Sequence, residues 1–400
     1  MRLYTKHKSC SKCITLCLLS LLSLNLIQLY LSFNVETKPV VTYSLQRNYN
    51  TNVSKNILIW TPFLSDNIKE SFEKCQSGCK DTCHFTVNKS EITTANAVLF
   101  NNFNLFPKWE IETKTTIAFP NYRRPDQVWV LFNMEPPGNM YWDTEVLNGV
   151  FNWTAWYRQD ATLWLPYGSK YVLNRSESNA ALAIFGNRNF HKEKTEEVAG
   201  MISNCIDQAQ RYKIVYKIQK YLATDMYGKC YGKPCDERAM QAKNKSCDAI
   251  LKQYKFYLAF ENSLCNDYVT EKYWNALKRE QIPIVNWKNI SENIVIPNSY
   301  INVYDFKDIK SLANYVKKVS SNATLYNSYF QWKTKYKDRG SCISCSLCHT
   351  LNRKNFQRQI YSNIGDWIGD DICPKVTVVN NWLQHLYWRL FWSFGINISL

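Results

Sequence analysis

The stretch YKFYLAFENSLCNDYVTEKYWNAL (254–277) decides the fold class of this 400-residue chain. Residues 254–262 are dense in aromatic and apolar side chains, which predicts a β-strand. Residues 269–280 have the spacing of a helix, and a short polar turn separates the two elements. A strand that leads directly into a helix is the repeating unit of an α/β domain with a parallel sheet.

Elements of the same kind flank this stretch and define a second α/β unit over residues 186–340. Its charged start, GNRNFHKEKTEEV (186–198), is interpreted as a connection between domains. The remaining elements alternate as in βαβ units: strands at 201–205, 282–287 and 300–306, and helices at 208–223 and 307–322.

A first α/β unit is predicted for residues 57–185. Its apolar runs are continuous rather than alternating, which is typical of strands buried on both faces of a sheet. The runs are ILIWTPF (57–63), AVLFNNF (97–103), TTIAFP (115–120), VWVLFNME (128–135) and ATLWLPY (161–167).

An uncharged stretch, ITLCLLSLLSLNLIQLYLSF (14–33), predicts a transmembrane helix, because about 20 apolar residues cross a bilayer. Basic residues concentrate in residues 1–13, so the positive-inside rule assigns that segment to the cytosol and the rest to the lumen. Residues 34–56 are interpreted as a stem. A cleaved signal peptide is the alternative, but the stretch is long for one and no small-residue cleavage site follows it.

The cysteines agree with a lumenal assignment. Of 15 cysteines, 12 follow residue 33, an even number that is typical of a disulfide-bonded ectodomain. The last region, 341–400, contains CISCSLCH (342–349), then Cys373 and an aromatic-rich segment. Cys342, Cys345, Cys348 and His349 have spacings that could ligate zinc, but an oxidising lumen favours disulfides.

Glycosylation sequons also indicate the secretory pathway. The candidate N-glycosylation sites are Asn52, Asn88, Asn152, Asn174, Asn244, Asn289, Asn322 and Asn397. The formal net charge of +16 would suit nucleic acid, but the basic residues are scattered, and the anchor and sequons exclude a nucleic-acid partner.

Two isolated residues have positions suited to chemistry. Glu135 ends an apolar strand in FNMEPPGN (132–139), where partial burial can tune a carboxylate into a general base. Arg211 lies early in a predicted helix after a strand, where the helix N-terminus and the guanidinium both favour phosphate. The alternatives are an ordinary surface carboxylate and a solvated helix arginine.

A third group is predicted at the carboxyl end of the strand 254–262: Asn262, Tyr268, Glu271 and Lys272. Lys272 can neutralise a phosphate, and the amide, phenol and carboxylate suit a polyhydroxyl ligand. The alternative is a capped helix in which Glu271 interacts with the dipole, and spacing does not separate the two. The sequence has no Walker, GxGxxG, HExxH or GxSxG motif, and no Asp-x-Asp hook for a metal-bound nucleotide sugar.

The segment YKFYLAFENS followed by DYVTEKYWNAL closely resembles the signature of the α-1,3-fucosyltransferases, glycosyltransferase family 10. FNWTAWYRQDATLWLPYG (151–168), SNC (203–205) with Arg211, and YGKC (227–230) resemble further blocks of that family. The similarity covers residues 57–350. It implies a GT-B fold, in which two Rossmann-like domains face a cleft. The first domain would bind the acceptor and the second GDP-fucose.

The resemblance also implies roles for single residues. Glu135 matches the base that deprotonates the acceptor hydroxyl, although this chain has E-P-P where the family has an E-S-P-like motif. Arg211 and Lys272 match residues that hold the donor diphosphate. Asn262 and Tyr268 match donor-site positions.

Four further assignments rest on the same resemblance. Glu271 would contact fucose and support positive charge in the transition state. Glu261 would orient its neighbours, and Tyr157 and Arg158 would shape the cleft. Donor binding through basic side chains implies no obligatory metal, although a divalent cation could stimulate activity.

The implied reaction is inverting transfer of L-fucose from GDP-β-L-fucose to the 3-hydroxyl of an N-acetylglucosamine (GlcNAc) residue in glycoprotein glycans. The Cys345-x-x-Cys348-His pattern with a longer tail resembles enzymes that fucosylate the innermost N-glycan GlcNAc in plants and invertebrates. Lewis-type transfer to N-acetyllactosamine or LacdiNAc antennae is the alternative. A catalytically inactive glycan-binding membrane glycoprotein is an alternative from another class. The expected location is the Golgi membrane, single-pass type II, with a lumenal catalytic domain.

Overall fold

The computed structural model describes residues 54–61, 68–105, 119–137, 144–205, 207–233, 246–353, 360–369 and 373. The predicted transmembrane helix 14–33 and the aromatic segment after Cys373 lie outside these residues, as does most of the predicted strand at 115–120. Among the helices that the structure describes, none has the length and apolarity needed to cross a bilayer.

The first sheet is formed by six strands. They are β1 (Lys55–Ile59), β2 (Cys83–Thr86), β3 (Ala97–Asn101), β4 (Val128–Phe132), β5 (Trp153–Trp156) and β6 (Leu163–Trp164). Their order is β2-β1-β3-β4-β5-β6, and the neighbours β2-β1, β1-β3, β3-β4 and β5-β6 pair in parallel. Residues of β3 are all buried, as the continuous apolar run predicts. The short strands β2 and β5 were not predicted, because neither contains a long apolar run.

The second sheet is formed by five strands. After β7 (Lys170–Val172), they are β8 (Glu196–Met201), β9 (Asp225–Tyr227), β10 (Tyr254–Leu258), β11 (Ile282–Val285) and β12 (Ile301–Asn302). The order is β12-β11-β10-β8-β9, with parallel pairing throughout. A separate antiparallel pair joins β7 to β13 (Tyr336–Asp338).

Nine α-helices accompany the strands in the described part of the chain. They are α1 (Ile68–Gln76), α2 (Arg175–Phe185), α3 (Arg211–Gln219), α4 (Cys247–Leu251), α5 (Glu271–Lys278), α6 (Ile309–Ser321), α7 (Ala323–Ser328), α8 (Ile343–Asn352) and α9 (Ile364–Gly369). Helices α3, α5 and α6 confirm the predicted βαβ alternation, each with ends a few residues inside its predicted range.

Strand β10 supplies apolar side chains to two separate cores. Phe256 belongs to one buried cluster with residues of α3 and α6, whereas Tyr257 belongs to another that contains Trp274 of α5. Successive side chains of a strand point to opposite faces, so this division shows that the sheet is covered on both sides.

The predicted strand at 201–205 is wrong in position. The strand β8 ends at Met201, and its first residues lie inside the stretch 186–198 that was interpreted as a connection. Glu196 and Glu197 are the first two residues of the strand and are exposed. Val198 and Ala199, which follow them, are buried. Because the strand begins with two charged residues, the sequence pattern suggested a linker there.

The described residues group into two compact units. The first unit draws on the described residues within 54–133, 144–153 and 348–366, and the second on those within 134–137, 154–347 and 367–373. The chain therefore crosses between the units several times, whereas the sequence suggested consecutive domains at 57–185 and 186–340. Glu135 clusters with the second unit.

Disulfides confirm the interpretation of the cysteine-rich tail. Cys348 is bonded to Cys83 and Cys373 to Cys265, while Cys342 and Cys345 are also disulfide-bonded. The side chain of His349 contacts Asp81 at 2.8 Å. These bonds agree with the disulfide interpretation. The Sγ atoms of Cys79, Cys342 and Cys345 lie within 4.8 Å of one another, so the zinc alternative stays a prediction for this cluster.

Candidate active site

A cavity of about 260 Å³ lies in the second unit, where β8 and β10 end and α3 and α5 begin. Parallel strands bring their carboxyl ends to one edge, and the following helices direct their N-termini to the same place. Met201, Ser203, Asn204, Arg211, Tyr257, Asn262, Glu271, Lys272, Asn275 and Arg279 line it. Four of the predicted site residues, Arg211, Asn262, Glu271 and Lys272, are thus brought together.

Arg211 is fixed at the cavity wall by a buried ion pair. Its side-chain Nε donates to Asp207 Oδ2 at 2.9 Å, and its backbone N–H donates to the other Asp207 oxygen. The two Nη atoms donate to the backbone carbonyls of Phe260 and Asn204. These contacts use three of the five N–H donors of a guanidinium, which leaves donors for a ligand.

Asp207 supports the candidate site through its ion pair with Arg211, and the sequence reasoning missed it. It lies four residues before Arg211, and its side chain is only 2% exposed. An acidic residue at i and a basic one at i+4 can pair, and this signal could have identified it. Burial raises the pKa of Asp207, while Arg211 acts in the opposite direction.

Glu261 is the buried support of the second cationic residue. It accepts hydrogen bonds from the Thr270 backbone N–H at 2.8 Å and from the Thr270 hydroxyl at 2.8 and 2.9 Å. Its Oε2 is 3.2 Å from Lys272 Nζ. Thr270 in turn caps α5 through the Lys272 backbone N–H. Glu261 is wholly buried and contacts both Thr270 and Lys272, and its orienting role stays a prediction.

Lys272 is held as a cation between two carboxylates. Its Nζ is 3.1 Å from Glu271 Oε1 as well as 3.2 Å from Glu261 Oε2, and it donates to the Thr270 hydroxyl at 2.8 Å. Burial alone would lower the pKa of Lys272, but the two carboxylates outweigh burial and raise it. The ammonium is therefore charged at neutral pH and still lines the cavity.

Glu271 and Asn262 present oxygen atoms to the same cavity. The Glu271 side chain is 53% exposed, in the first turn of α5. Asn262 Oδ1 is a buried acceptor that lacks a hydrogen-bond partner among the described residues. A buried polar atom without a partner is costly, so this oxygen is suited to accept a hydrogen bond from a ligand.

Arg279 and Asn275 extend the polar face of α5 beyond the predicted residues. Positions 272, 275 and 279 lie on one side of the helix because they are three and four residues apart. Arg279 Nε donates to Asp248 at 2.6 Å, and its guanidinium lies over the Tyr257 ring. The helical spacing could have identified this third cationic residue of the cavity.

Glu135 was expected to end the strand 128–135, but β4 ends at Phe132 and Glu135 lies in the loop that follows. Two side chains donate to backbone carbonyls of this loop. Trp156 Nε1 donates to the Glu135 carbonyl at 3.0 Å, and the Tyr167 hydroxyl donates to the Met134 carbonyl at 2.9 Å. Burial raises the pKa of Tyr167, and the nearby carboxylates of Glu135 and Glu271 raise it further. Tyr167 therefore lies within electrostatic reach of both predicted catalytic carboxylates.

Tyr157 and Tyr268 form an aromatic contact beside Tyr167. The Tyr157 and Tyr268 ring centroids are 5.0 Å apart, and those of Tyr167 and Tyr268 are 6.2 Å apart. Burial raises the pKa of Tyr268, and Tyr167 and Glu135 raise it further. The Tyr157 hydroxyl is buried and has no hydrogen-bond partner among the described residues. These tyrosines lie near Glu135 and do not line the cavity around Lys272.

Arg158 occupies a different place from the other predicted residues. Its guanidinium forms a bidentate pair with Asp160 at 2.8 and 2.6 Å, donates to the Trp367 carbonyl and lies 4.1 Å from the Trp367 ring. Trp367 also donates to Asp160. Arg158 therefore binds Trp367, a residue much later in the chain, and does not line the cavity.

The sequons differ in accessibility. Asn152 is buried, and its Oδ1 accepts from Arg123 and from the Trp129 backbone N–H, so the folded chain offers it no room for a glycan. That candidate is therefore wrong. Among the other sequon asparagines, Asn88, Asn174, Asn289 and Asn322 are exposed. Asn52, Asn244 and Asn397 lie outside the described residues.

The charges that line the cavity suit a phosphate-bearing ligand. Arg211, Lys272 and Arg279 give the cavity three cations, each held by a carboxylate of the protein. Such a preorganised cationic cavity can bind a diphosphate and stabilise the charge that develops when it leaves. The Glu135 carboxylate lies in the same unit and could accept a proton; Trp156 donates to the Glu135 carbonyl and Tyr167 to the neighbouring Met134 carbonyl.

Two family models match the chain. The model described as fucosyltransferase, N-terminal, covers residues 52–168, and that of glycosyltransferase family 10 (fucosyltransferase), C-terminal, covers residues 191–367. The Caenorhabditis elegans protein alpha-(1,3)-fucosyltransferase fut-5 is 30% identical over 84% of this chain and 92% of its own.

A human relative and a solved structure are also similar to the chain. The human protein 4-galactosyl-N-acetylglucosaminide 3-alpha-L-fucosyltransferase FUT5 is 32% identical over 78% of this chain and 79% of its own. A crystal structure of an alpha1,3-fucosyltransferase with GDP-fucose is 14% identical, with a TM-score of 0.44, and covers 84% of this chain and 95% of that one.

Proposed function

Since the chain belongs to glycosyltransferase family 10 and is an enzyme of the α-1,3-fucosyltransferase class, we propose that it transfers L-fucose from GDP-β-L-fucose to the 3-hydroxyl of a GlcNAc residue in glycoprotein glycans. The observation that carries this proposal is the cavity that gathers Arg211, Asn262, Glu271 and Lys272. Its cations suit the diphosphate of a nucleotide sugar.

In the proposed reaction the acceptor oxygen attacks C1 of fucose from the side opposite GDP. The new O–C1 bond forms while the bond from C1 to the β-phosphate oxygen breaks, and GDP leaves with the electron pair. The acceptor proton passes to the Glu135 carboxylate, which acts as the general base. Attack from the opposite face converts a β-linked donor into an α-linked product.

The other residues act on charge during this step. Arg211 and Lys272 would stabilise the negative charge that grows on the departing diphosphate. The Glu271 carboxylate would stabilise positive charge on the fucose ring, which resembles an oxocarbenium ion at the transition state. Because the chain supplies its own cations, we propose that no metal is obligatory, although a divalent cation could stimulate the reaction.

We propose the innermost N-glycan GlcNAc as the acceptor. The support is the resemblance of the Cys345-x-x-Cys348-His segment to core-fucosylating enzymes. The alternative is transfer to N-acetyllactosamine or LacdiNAc antennae, which the name of the human relative favours.

We also propose a single-pass type II location in the Golgi membrane, with both compact units in the lumen. The apolar stretch 14–33 and the basic residues before it support this topology. Disulfides such as Cys205–Cys230 and Cys265–Cys373 fit an oxidising compartment.

The test is a transfer assay with the purified full-length chain, GDP-fucose and two separate acceptors, with and without a chelator. One acceptor is a core N-glycan glycopeptide, and the other is N-acetyllactosamine. A mass gain of one fucose on the core glycopeptide, with an α-1,3 linkage, supports the proposal. A gain only on N-acetyllactosamine overturns the core assignment but leaves the enzyme class intact.

The same assay tests the base. The Glu135→Gln variant should lose about 10³-fold in kcat and keep its affinity for GDP, because only proton removal is lost. Glu70→Gln, on the exposed surface of α1, is the matched control and should transfer at the wild-type rate. Equal turnover by Glu135→Gln and the wild type would contradict the role of Glu135.

A further inference from the structure

The loop that contains Glu135 has few backbone donors of its own. Glu135 is followed by Pro136 and Pro137, and proline has no N–H group. A residue before proline is also restricted to extended conformations. The sequence therefore stiffens this loop locally, and these two positions supply no backbone N–H donor.

Side chains from a later part of the chain donate to the carbonyls of this loop. Trp156, on β5, donates its indole N–H to the Glu135 carbonyl. Tyr167, in the segment after β6, donates its hydroxyl to the Met134 carbonyl one residue earlier. Two adjacent carbonyls are thus fixed by two aromatic side chains, of which Trp156 is completely buried.

The Tyr167 ring also contacts the loop that leads to the cavity. It packs edge-on against the Tyr268 ring, with the centroids 6.2 Å apart, and Tyr268 lies between β10 and α5, four residues before Lys272. One side chain therefore connects the backbone beside Glu135 with the segment that bears Lys272. Burial and the surrounding carboxylates raise the pKa of Tyr167, so its hydroxyl remains a donor across the neutral range.

We propose that Tyr167 is a positioning residue: its ring packs against Tyr268 while its hydroxyl holds the Met134 carbonyl, and this aligns the base Glu135 with the sugar bound beside Lys272. Trp156 supports the same loop from its other carbonyl. This inference rests on the proposed function, because it assumes that Glu135 is the base. A carboxylate that is misplaced by 1 Å loses much of its catalytic effect, although substrate still binds.

The test compares Tyr167→Phe with the wild type in the full chain. We expect kcat for transfer to fall about tenfold, while the GDP dissociation constant from calorimetry changes by less than about twofold. Tyr326→Phe is the matched control, because Tyr326 is also buried and donates its hydroxyl to a backbone carbonyl, that of Lys255, at 3.1 Å. The control should transfer at the wild-type rate.

Repeating the Tyr167→Phe change in the Glu135→Gln variant tests whether Tyr167 acts through Glu135. If Tyr167 acts through Glu135, then adding Tyr167→Phe to Glu135→Gln should lower the residual transfer rate by less than about twofold. The same tenfold loss in both backgrounds would overturn the proposal, and so would an unchanged kcat for the single variant. Full activity of Glu135→Gln alone would instead overturn the base assignment in the proposed function, and the positioning role with it.

A melting curve completes the design. A Tyr167→Phe chain that melts with the wild type and binds GDP normally is folded, so its loss of kcat reports alignment. A loss of GDP affinity as large as the loss of kcat would show a general structural role and would also overturn the proposal.

Discussion

The cavity around Lys272 and the loop around Glu135 are fixed by different kinds of contact. In the cavity, each cation is anchored by a carboxylate: Arg211 by Asp207 and Lys272 by Glu261. In the loop, neutral aromatic donors bind the backbone carbonyls. The first arrangement orients charged side chains, and the second orients a backbone.

This difference matches the chemistry that each region would perform. A diphosphate requires cations whose positions do not change when the anion arrives, and buried counter-charges provide that rigidity. A general base requires a carboxylate that is held at a fixed place relative to the acceptor. Hydrogen bonds to the carbonyls of Met134 and Glu135 fix the backbone that bears the Glu135 carboxylate. Four predictions test this contrast between cations anchored by carboxylates and a backbone held by aromatic donors.

The largest effect should follow removal of the buried counter-charge of Arg211. Asp207→Asn would leave that guanidinium buried without an anion, which typically costs about 3–5 kcal/mol. We expect a loss of that order in the free energy of unfolding, measured with urea. The exposed pair Lys69–Glu73 has the same i,i+4 spacing, so Glu73→Gln is the control and should cost less than about 0.5 kcal/mol. Similar losses for the two variants would remove the contrast between buried and exposed pairs.

A smaller effect is expected from Lys272→Ala. Loss of one cation should weaken GDP binding about 10- to 100-fold, since a charge-assisted contact contributes about 1.5–3 kcal/mol. The same change leaves Glu261 buried without its cation, so stability should fall as well. Adding Glu261→Gln should restore part of the stability and none of the GDP affinity. Recovery of GDP affinity in the double variant would contradict a direct role for Lys272.

Trp156→Phe tests the second contact of the loop, the hydrogen bond from Trp156 to the Glu135 carbonyl. The change removes one hydrogen bond and part of a buried ring, for which we expect about 1–2 kcal/mol of lost stability. GDP affinity should stay within about twofold of wild type, because no cation of the cavity is touched. Calorimetry and thermal melting measure the two quantities. A drop in GDP affinity comparable with that of Lys272→Ala would show that the two regions are not separable.

The smallest effect concerns pH. The pKa of Lys272 is raised, so its charge and the stability that it contributes should be complete below the unfolded value of about 10.4. Both should be lost only as pH rises through the higher folded value. GDP affinity should therefore vary by less than about twofold between pH 7 and 9. A steady loss of affinity over that interval would show that Lys272 is neutral in the folded enzyme.

The sequence by itself determined the α/β class and much of the site. Continuous apolar runs predicted the buried strands, and the step from strand to polar turn to helix in 254–277 placed Asn262, Glu271 and Lys272 at one edge of a sheet. These inferences succeed because side-chain periodicity and strand direction are local properties, which neighbouring residues fix.

Only the tertiary structure decided which groups meet across long separations. It paired Glu261 with Lys272, buried the sequon of Asn152, engaged Arg158 with Trp367 and brought Tyr167 to the Met134 carbonyl. It also began a strand at Glu196, where the charges suggest a linker. Such outcomes depend on burial and on contacts between residues that are distant in sequence, and neither is encoded in the spacing of nearby side chains.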